Sequence, residues 1–268
     1  MRHSLFGKTL GDSLRSYPWW LGGLIAYVIL IMMVFPFLEE EGQAFQELLE
    51  NYPAALLAAF GIDPELSIVS VEGFLGTYVF GWLVPLLFLI FAITFGSRAI
   101  AGEEEAGTME LLLANPIGRA RVVFLKYAAF ATLIAGMSLA LFVAVYVGGL
   151  ILGWEMNLGN IAAACLSGGL LGLAFGGISF GLAAATGRRA ATSGITAALA
   201  VGSYLLFTVG GLVDSLAVVA KASPIWLYAG TETLVEGLIV NRAAVLFIIA
   251  AITIIAAGAL FQRRDIRL

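Results

Sequence analysis

The chain has 268 residues, of which 61% are hydrophobic and 12% charged, and a formal net charge of −4. Its mean hydropathy of +1.00 excludes an ordinary soluble domain. One cysteine, Cys165, and one histidine, His3, exclude an internal disulfide and a metal centre of the His and Cys type.

The apolar runs are long and continuous rather than alternating, so helices and not a β-barrel are expected to satisfy the backbone in lipid. The expected fold is an all-α polytopic membrane protein, a single transmembrane domain over residues 1–268 with six spans. Residues 1–18 read as an interfacial helix, with Leu5, Phe6, Leu10, Leu14 and Tyr17 on one face among Arg2, Lys8 and Arg15. A cleaved signal peptide fits poorly. The apolar run ends in Pro36, Phe37 and Leu38 and then three glutamates, with no small-x-small cleavage site. The first span covers 19–38. An acidic segment, 39–72, follows, with a short helix expected around 45–60 and interrupted by Pro53.

The second span covers 73–96 and leads into a charged stretch, 97–126, before the third at 127–152. After a turn through Trp154, Glu155 and Asn157 comes the fourth, 160–185, then a basic loop of Gly187, Arg188 and Arg189 and the fifth, 193–212. Residues 214–242 are mixed in character, too apolar for free solvent, and are expected to be tucked into the interface or re-entrant. The sixth span, 243–261, ends in a basic tail.

Six spans put both termini on one side, and the positive-inside rule makes that side cytoplasmic. Of the 14 bases, 12 then lie inside, with Lys221 and Arg242 the exceptions, whereas 12 of the 18 acids lie outside.

The stretch 97–126 holds four acids, four bases, three glycines and Pro116. Gly102 reads as a cap, and Glu103, Glu104 and Glu105 sit in a first turn where carboxylates favour the positive end of the helix dipole. Pro116 stops the helix by holding Asn115 extended. At 100° per residue Ala106, Met109, Leu112 and Leu113 share one face, and Glu103, Gly107 and Glu110 the other. Leu111 falls on the polar side, between Glu104, Gly107 and Thr108. It is either a knob for a partner protein or part of a loop helix lying on headgroups.

Two motifs are discounted. Gly7-Lys8-Thr9 ends like a P-loop, but the first glycine would have to be residue 2, which is Arg2, and no strand has room to precede it. Gly177-Ile178-Ser179-Phe180-Gly181 matches G-x-S-x-G, yet no base lies in any span to activate Ser179. Gly168, Gly172, Gly176, Gly177 and Gly181 repeat instead at small-xxx-small spacing, the pattern of close helix packing. The spans carry essentially no ionisable group, which argues against a self-contained proton- or sodium-coupled pump. No catalytic, cofactor or metal residues are assigned, and nucleic acid is not an expected partner.

The run Gly102-Glu103-Glu104-Glu105-Ala106-Gly107-Thr108-Met109-Glu110-Leu111-Leu112-Leu113-Ala114-Asn115-Pro116-Ile117-Gly118-Arg119, followed by Lys126, resembles the signature of ABC-2 type transporter permeases. In that family the stretch after the second span reads roughly G-E-x-E-x-G-T-x-x-L-L-L-x-x-P-x-x-R. The likeness extends to the six spans, the interfacial helix and the segment before the last span. The outer segment is similar to that of drug- or bacitracin-type exporter permeases, and the layout resembles the permease of the nitrous-oxide-reductase copper-maturation transporter.

The resemblance implies a permease subunit of a prokaryotic plasma-membrane exporter, without its own nucleotide site. Its partners would be a separate cytoplasmic ATPase, a second permease copy and membrane lipid. It implies a coupling helix over 103–114 in a groove of the ATPase. The interface would comprise Glu103, Glu104, Glu105, Gly107, Thr108, Glu110, Leu111, Leu112, Pro116 and Arg119, with Glu103, Glu104 and Glu110 meeting basic residues of the partner. A membrane anchor or assembly factor of the same fold and, further off, an intramembrane serine hydrolase are the other readings. The substrate is not legible.

Overall fold

Helices long and apolar enough to cross a bilayer form most of the chain, and there are six of them among the described residues. The structure is a computed structural model that describes residues 4–50, 52, 70–114, 116–210 and 213–264, with the backbone alone for 38–50 and 214. No strand occurs among these residues. The protein is an all-α polytopic membrane protein.

Helix α1 (Leu5–Ser13) begins at Ser4, whose side chain accepts a hydrogen bond from the Gly7 N–H at 3.1 Å. It packs against α5 (Arg119–Leu152) and turns into α2 (Tyr17–Glu50). Tyr17, grouped with α1 by spacing, instead opens α2, where its hydroxyl donates to the Leu133 carbonyl at 2.7 Å. Helix α2 runs through Pro36 to Glu50, so the apolar span and the start of the expected acidic helix are one element. The rest of that expected helix, with Pro53, lies outside the described residues.

The remaining spans are α3 (Val71–Glu105), α5, α6 (Leu158–Thr186), α7 (Arg189–Gly210) and α11 (Val240–Arg263). Each of them starts before the hydrophobic boundary read from the sequence, and α3 ends well beyond it. Helix α5 has 34 residues, about 50 Å at the usual rise, whereas the hydrocarbon core is about 30 Å thick. Hydropathy locates the hydrocarbon; helical hydrogen bonding continues into the headgroups, so charged first and last turns join the spans.

Helix α6 is the hub, touching α3, α5, α7, α11 and the short helices α9 (Pro224–Tyr228) and α10 (Gly230–Glu236). Its glycines are where other side chains enter. A Cβ at Gly168 would lie 2.7 Å from Val84, and one at Gly172 3.2 Å from Phe88 and 3.0 Å from Ile134. At Gly176 it would collide with the Phe130 ring and at Gly177 with Thr253, whereas at Gly181 it would meet only the Thr253 carbonyl at 3.8 Å. Four of the five stripe positions are therefore filled by neighbouring helices, as small-residue packing in lipid requires. Ser179 is buried between them, its hydroxyl 3.4 Å from the Ile93 carbonyl.

Residues 214–236 fold as α8 (Asp214–Ala220), α9 and α10, with Ile225, Leu227, Tyr228 and Leu234 buried in the bundle. Helix α8 packs on α7, while α9 and α10 dock on a stretch of α3, Gly76–Leu83, wound as a wider π-helix. Tyr228 donates to the Phe80 carbonyl at 2.8 Å, Thr231 to the Gly76 carbonyl at 2.8 Å, and Ser167 to the Tyr228 carbonyl at 2.5 Å. Side-chain hydroxyls thus serve backbone carbonyls where regular helix is interrupted in an apolar setting. Arg242, an exception to the charge pattern, makes a two-pronged ion pair with Glu232 at 2.6 and 3.1 Å. Its guanidinium also lies 3.8 Å over the Trp226 ring.

Candidate coupling site

The end of the bundle that carries most of the bases is closed by the segment joining α3 to α5. The structure departs here from a single helix over 103–114. Gly102 is not a cap: it has right-handed helical geometry and lies inside α3. The π-helical turn Arg98–Gly102 and the turn Glu103–Glu105 prolong α3 without a break. The break comes at Gly107, with φ +68°, the left-handed conformation that a residue without Cβ adopts freely. Gly107 N–H bonds to the Glu104 carbonyl at 3.0 Å and the Thr108 hydroxyl to the Glu103 carbonyl at 3.1 Å, closing α3 as the chain turns into α4 (Thr108–Leu113). The apolar face divides at the same point. Met109 is buried and Leu112 and Leu113 pack on the core, while Ala106, in the turn, is exposed.

The three consecutive glutamates reach three different parts of the fold. Glu103 pairs with the Lys126 ammonium, which is fully buried near the start of α5 and also donates to the Ala99 carbonyl at 2.6 Å. Glu104 pairs with Arg264, just past the end of α11. The Arg264 guanidinium donates in turn to the Ala184 and Ala183 carbonyls at 2.8 and 3.2 Å, in the last turn of α6 where helix carbonyls lack intrahelical partners. Arg119 joins by donating to the Arg264 carbonyl at 2.8 Å. Glu105 accepts from the Arg189 N–H at 2.8 Å, capping the first turn of α7. One short acidic run thereby ties the end of α3 to α5, α6, α7 and α11.

These bonds alter the expected roles. Glu103 and Glu104, read as carboxylates for a partner's bases, are engaged within the chain. Arg119 serves the same internal network. Glu110, Thr108 and Pro116 are exposed, Leu112 is half-buried, and Leu111 is 75% exposed on a helix pinned by Met109 at 1% exposure. The network partners Arg189 and Arg264 carried a signal in the sequence as parts of two basic pairs, Arg188-Arg189 and Arg263-Arg264, but nothing in their spacing paired them with particular glutamates.

No group of His, Cys, Asp or Glu able to hold a metal occurs among the described residues. Ser179 faces a backbone carbonyl, and His3 lies outside the described residues. A family model described as ABC-2 family transporter protein matches residues 3–266. No curated protein matches the chain.

Proposed function

The chain belongs to the ABC-2 transporter family, whose members are membrane permeases of ATP-binding-cassette transporters, and on that premise we propose that it exports its cargo under the drive of a separate cytoplasmic ATPase. The ATPase docks on α4, with Leu111 entering its groove and Thr108, Glu110, Leu112 and Pro116 around it. The permease works as two copies in a prokaryotic plasma membrane, with both termini cytoplasmic.

The observation that carries this reading is the contrast between Leu111 and its base. The leucine is 75% exposed, while the turn just before it is joined through Glu103, Glu104 and Glu105 to the ends of four other long helices. A push on α4 is then delivered to a connected set of helix ends, which is the requirement for rigid-body transmission of nucleotide-driven closure. Glu103 and Glu104 act in this reading as internal ties; Glu110 is the acid left to meet basic residues of the ATPase.

The test is co-purification of the tagged permease from its host in mild detergent. A stoichiometric ATPase that is lost with Leu111→Asp supports the reading. A permease that purifies without an ATPase under conditions preserving other transporters would favour a membrane anchor of the same fold. Activity abolished by Ser179→Ala with folding intact would favour a hydrolase.

A further inference from the structure

A cavity of about 280 Å³ opens at the basic end of the bundle between α1, α3 and α5. Its inner part is aromatic, formed by Trp20, Phe91 and Phe95, with the Trp20 and Phe91 rings edge to face at 5.5 Å. Its outer part is polar, with Asp12, Ser13 and Ser16 on the α1 side and Thr94 and Arg98 on α3. Lys126 also lines the cavity, but its ammonium is held by Glu103 and the Ala99 carbonyl. Once that pair is set aside, the cavity retains one carboxylate, Asp12, and one guanidinium, Arg98. Neither belongs to an ion pair among the described residues.

We propose that this cavity binds the headgroup of a zwitterionic phospholipid, its phosphate on Arg98 and its ammonium on Asp12. The volume of about 280 Å³ falls just below that of small-molecule sites, which span about 300–1,000 Å³, so it suits a headgroup rather than a drug-sized cargo. The charges select the ligand class. A lone anion would meet the Asp12 carboxylate and a lone cation the Arg98 guanidinium, whereas a ligand carrying both signs pairs with each. Arg98 can grip a phosphate through two parallel N–H bonds, while the Ser13 and Ser16 hydroxyls donate to the Thr9 and Ser13 carbonyls at 2.8 and 3.3 Å and leave the phosphate to the guanidinium. The aromatic rings lie where the glycerol and the first acyl carbons follow, the depth at which tryptophan is favoured in membranes. An amphipathic α1 on the rim places the opening at headgroup level.

The measurement is native mass spectrometry of the full-length permease released from nanodiscs of equal phosphatidylethanolamine and phosphatidylglycerol, without nucleotide, so the result is independent of ATPase docking. Wild type is expected to retain phosphatidylethanolamine about tenfold over phosphatidylglycerol, a difference of about 1.4 kcal/mol. Asp12→Asn should bring that ratio close to one, and Arg98→Gln should lower retention of both lipids. Both side chains are exposed, so folding should survive, and Arg98→Lys, which keeps the charge but loses the fork, should retain less than wild type. The proposal is overturned if phosphatidylglycerol is preferred, if the ratio is unchanged in Asp12→Asn, or if water-soluble phosphoethanolamine displaces the lipid at equal concentration.

Discussion

Two residues at the basic end show how burial separates structural from interactive roles. Lys126 is fully buried and its charge is met by Glu103. Removing the acid leaves the ammonium uncompensated, and Glu103→Gln is expected to destabilise the permease by about 3 kcal/mol. The double variant Glu103→Gln with Lys126→Met should recover most of that loss, since the pair can be replaced by apolar volume. Thermal unfolding in detergent, followed by size-exclusion fluorescence, reads both; a stable single variant would contradict the assignment. Leu111 behaves oppositely. The Leu111 side chain is 75% exposed, so Leu111→Asp should change stability by less than about 0.5 kcal/mol while ATPase co-purification is lost. Helical spacing alone put Leu111 on a polar face; the partners of the glutamates were not legible, because Lys126, Arg189 and Arg264 come together only when α5, α7 and α11 are packed.

Among elements, the joint between α3 and α4 and the glycine face of α6 carry the clearest expectations. Gly107 holds φ +68°, and Gly107→Ala puts a side chain in left-handed backbone at a cost of about 1 kcal/mol. The larger consequence is directional: relieving that strain favours one continuous helix and swings Leu111 away from its present bearing. ATP hydrolysis by the assembled complex should uncouple from transport, while the amount of folded permease stays near wild type. In α6 the glycines are not equivalent. Gly176→Ala should lose about 1–3 kcal/mol by forcing the Phe130 ring aside, with partial recovery in a Phe130→Leu background. Gly181→Ala, whose Cβ meets only a carbonyl at 3.8 Å, should be close to neutral. Equal effects at the two positions would remove the packing account. The small-residue spacing marked this face in the sequence, but which glycines admit a ring and which merely lie near backbone depends on the neighbours.

For the whole molecule, the uneven charge distribution predicts orientation. In a Cys165→Ala background, a cysteine placed at Glu236 should react with a membrane-impermeant maleimide in intact cells, and one placed at Glu110 only after the membrane is opened. The reverse pattern would invert the topology and with it the placing of the ATPase. Hydropathy was sufficient for six spans and an all-α membrane fold, and the signature around Glu103 to Arg119 was sufficient for the family. Both are local properties: the energy of placing an apolar run in lipid, and a pattern within one continuous stretch. The tertiary structure decided what hydropathy cannot express. It carried α3 through Gly102 to Glu105, because helix ends are governed by backbone hydrogen bonds rather than by the edge of the hydrocarbon. It engaged Glu103 and Glu104, read as meeting a partner's bases, and Glu105 beside them in bonds within the chain, and it set Asp12 and Arg98, 86 positions apart in the chain, around one cavity. Those groups lie on distant segments, and only the packing of the helices brings them to one end of the bundle.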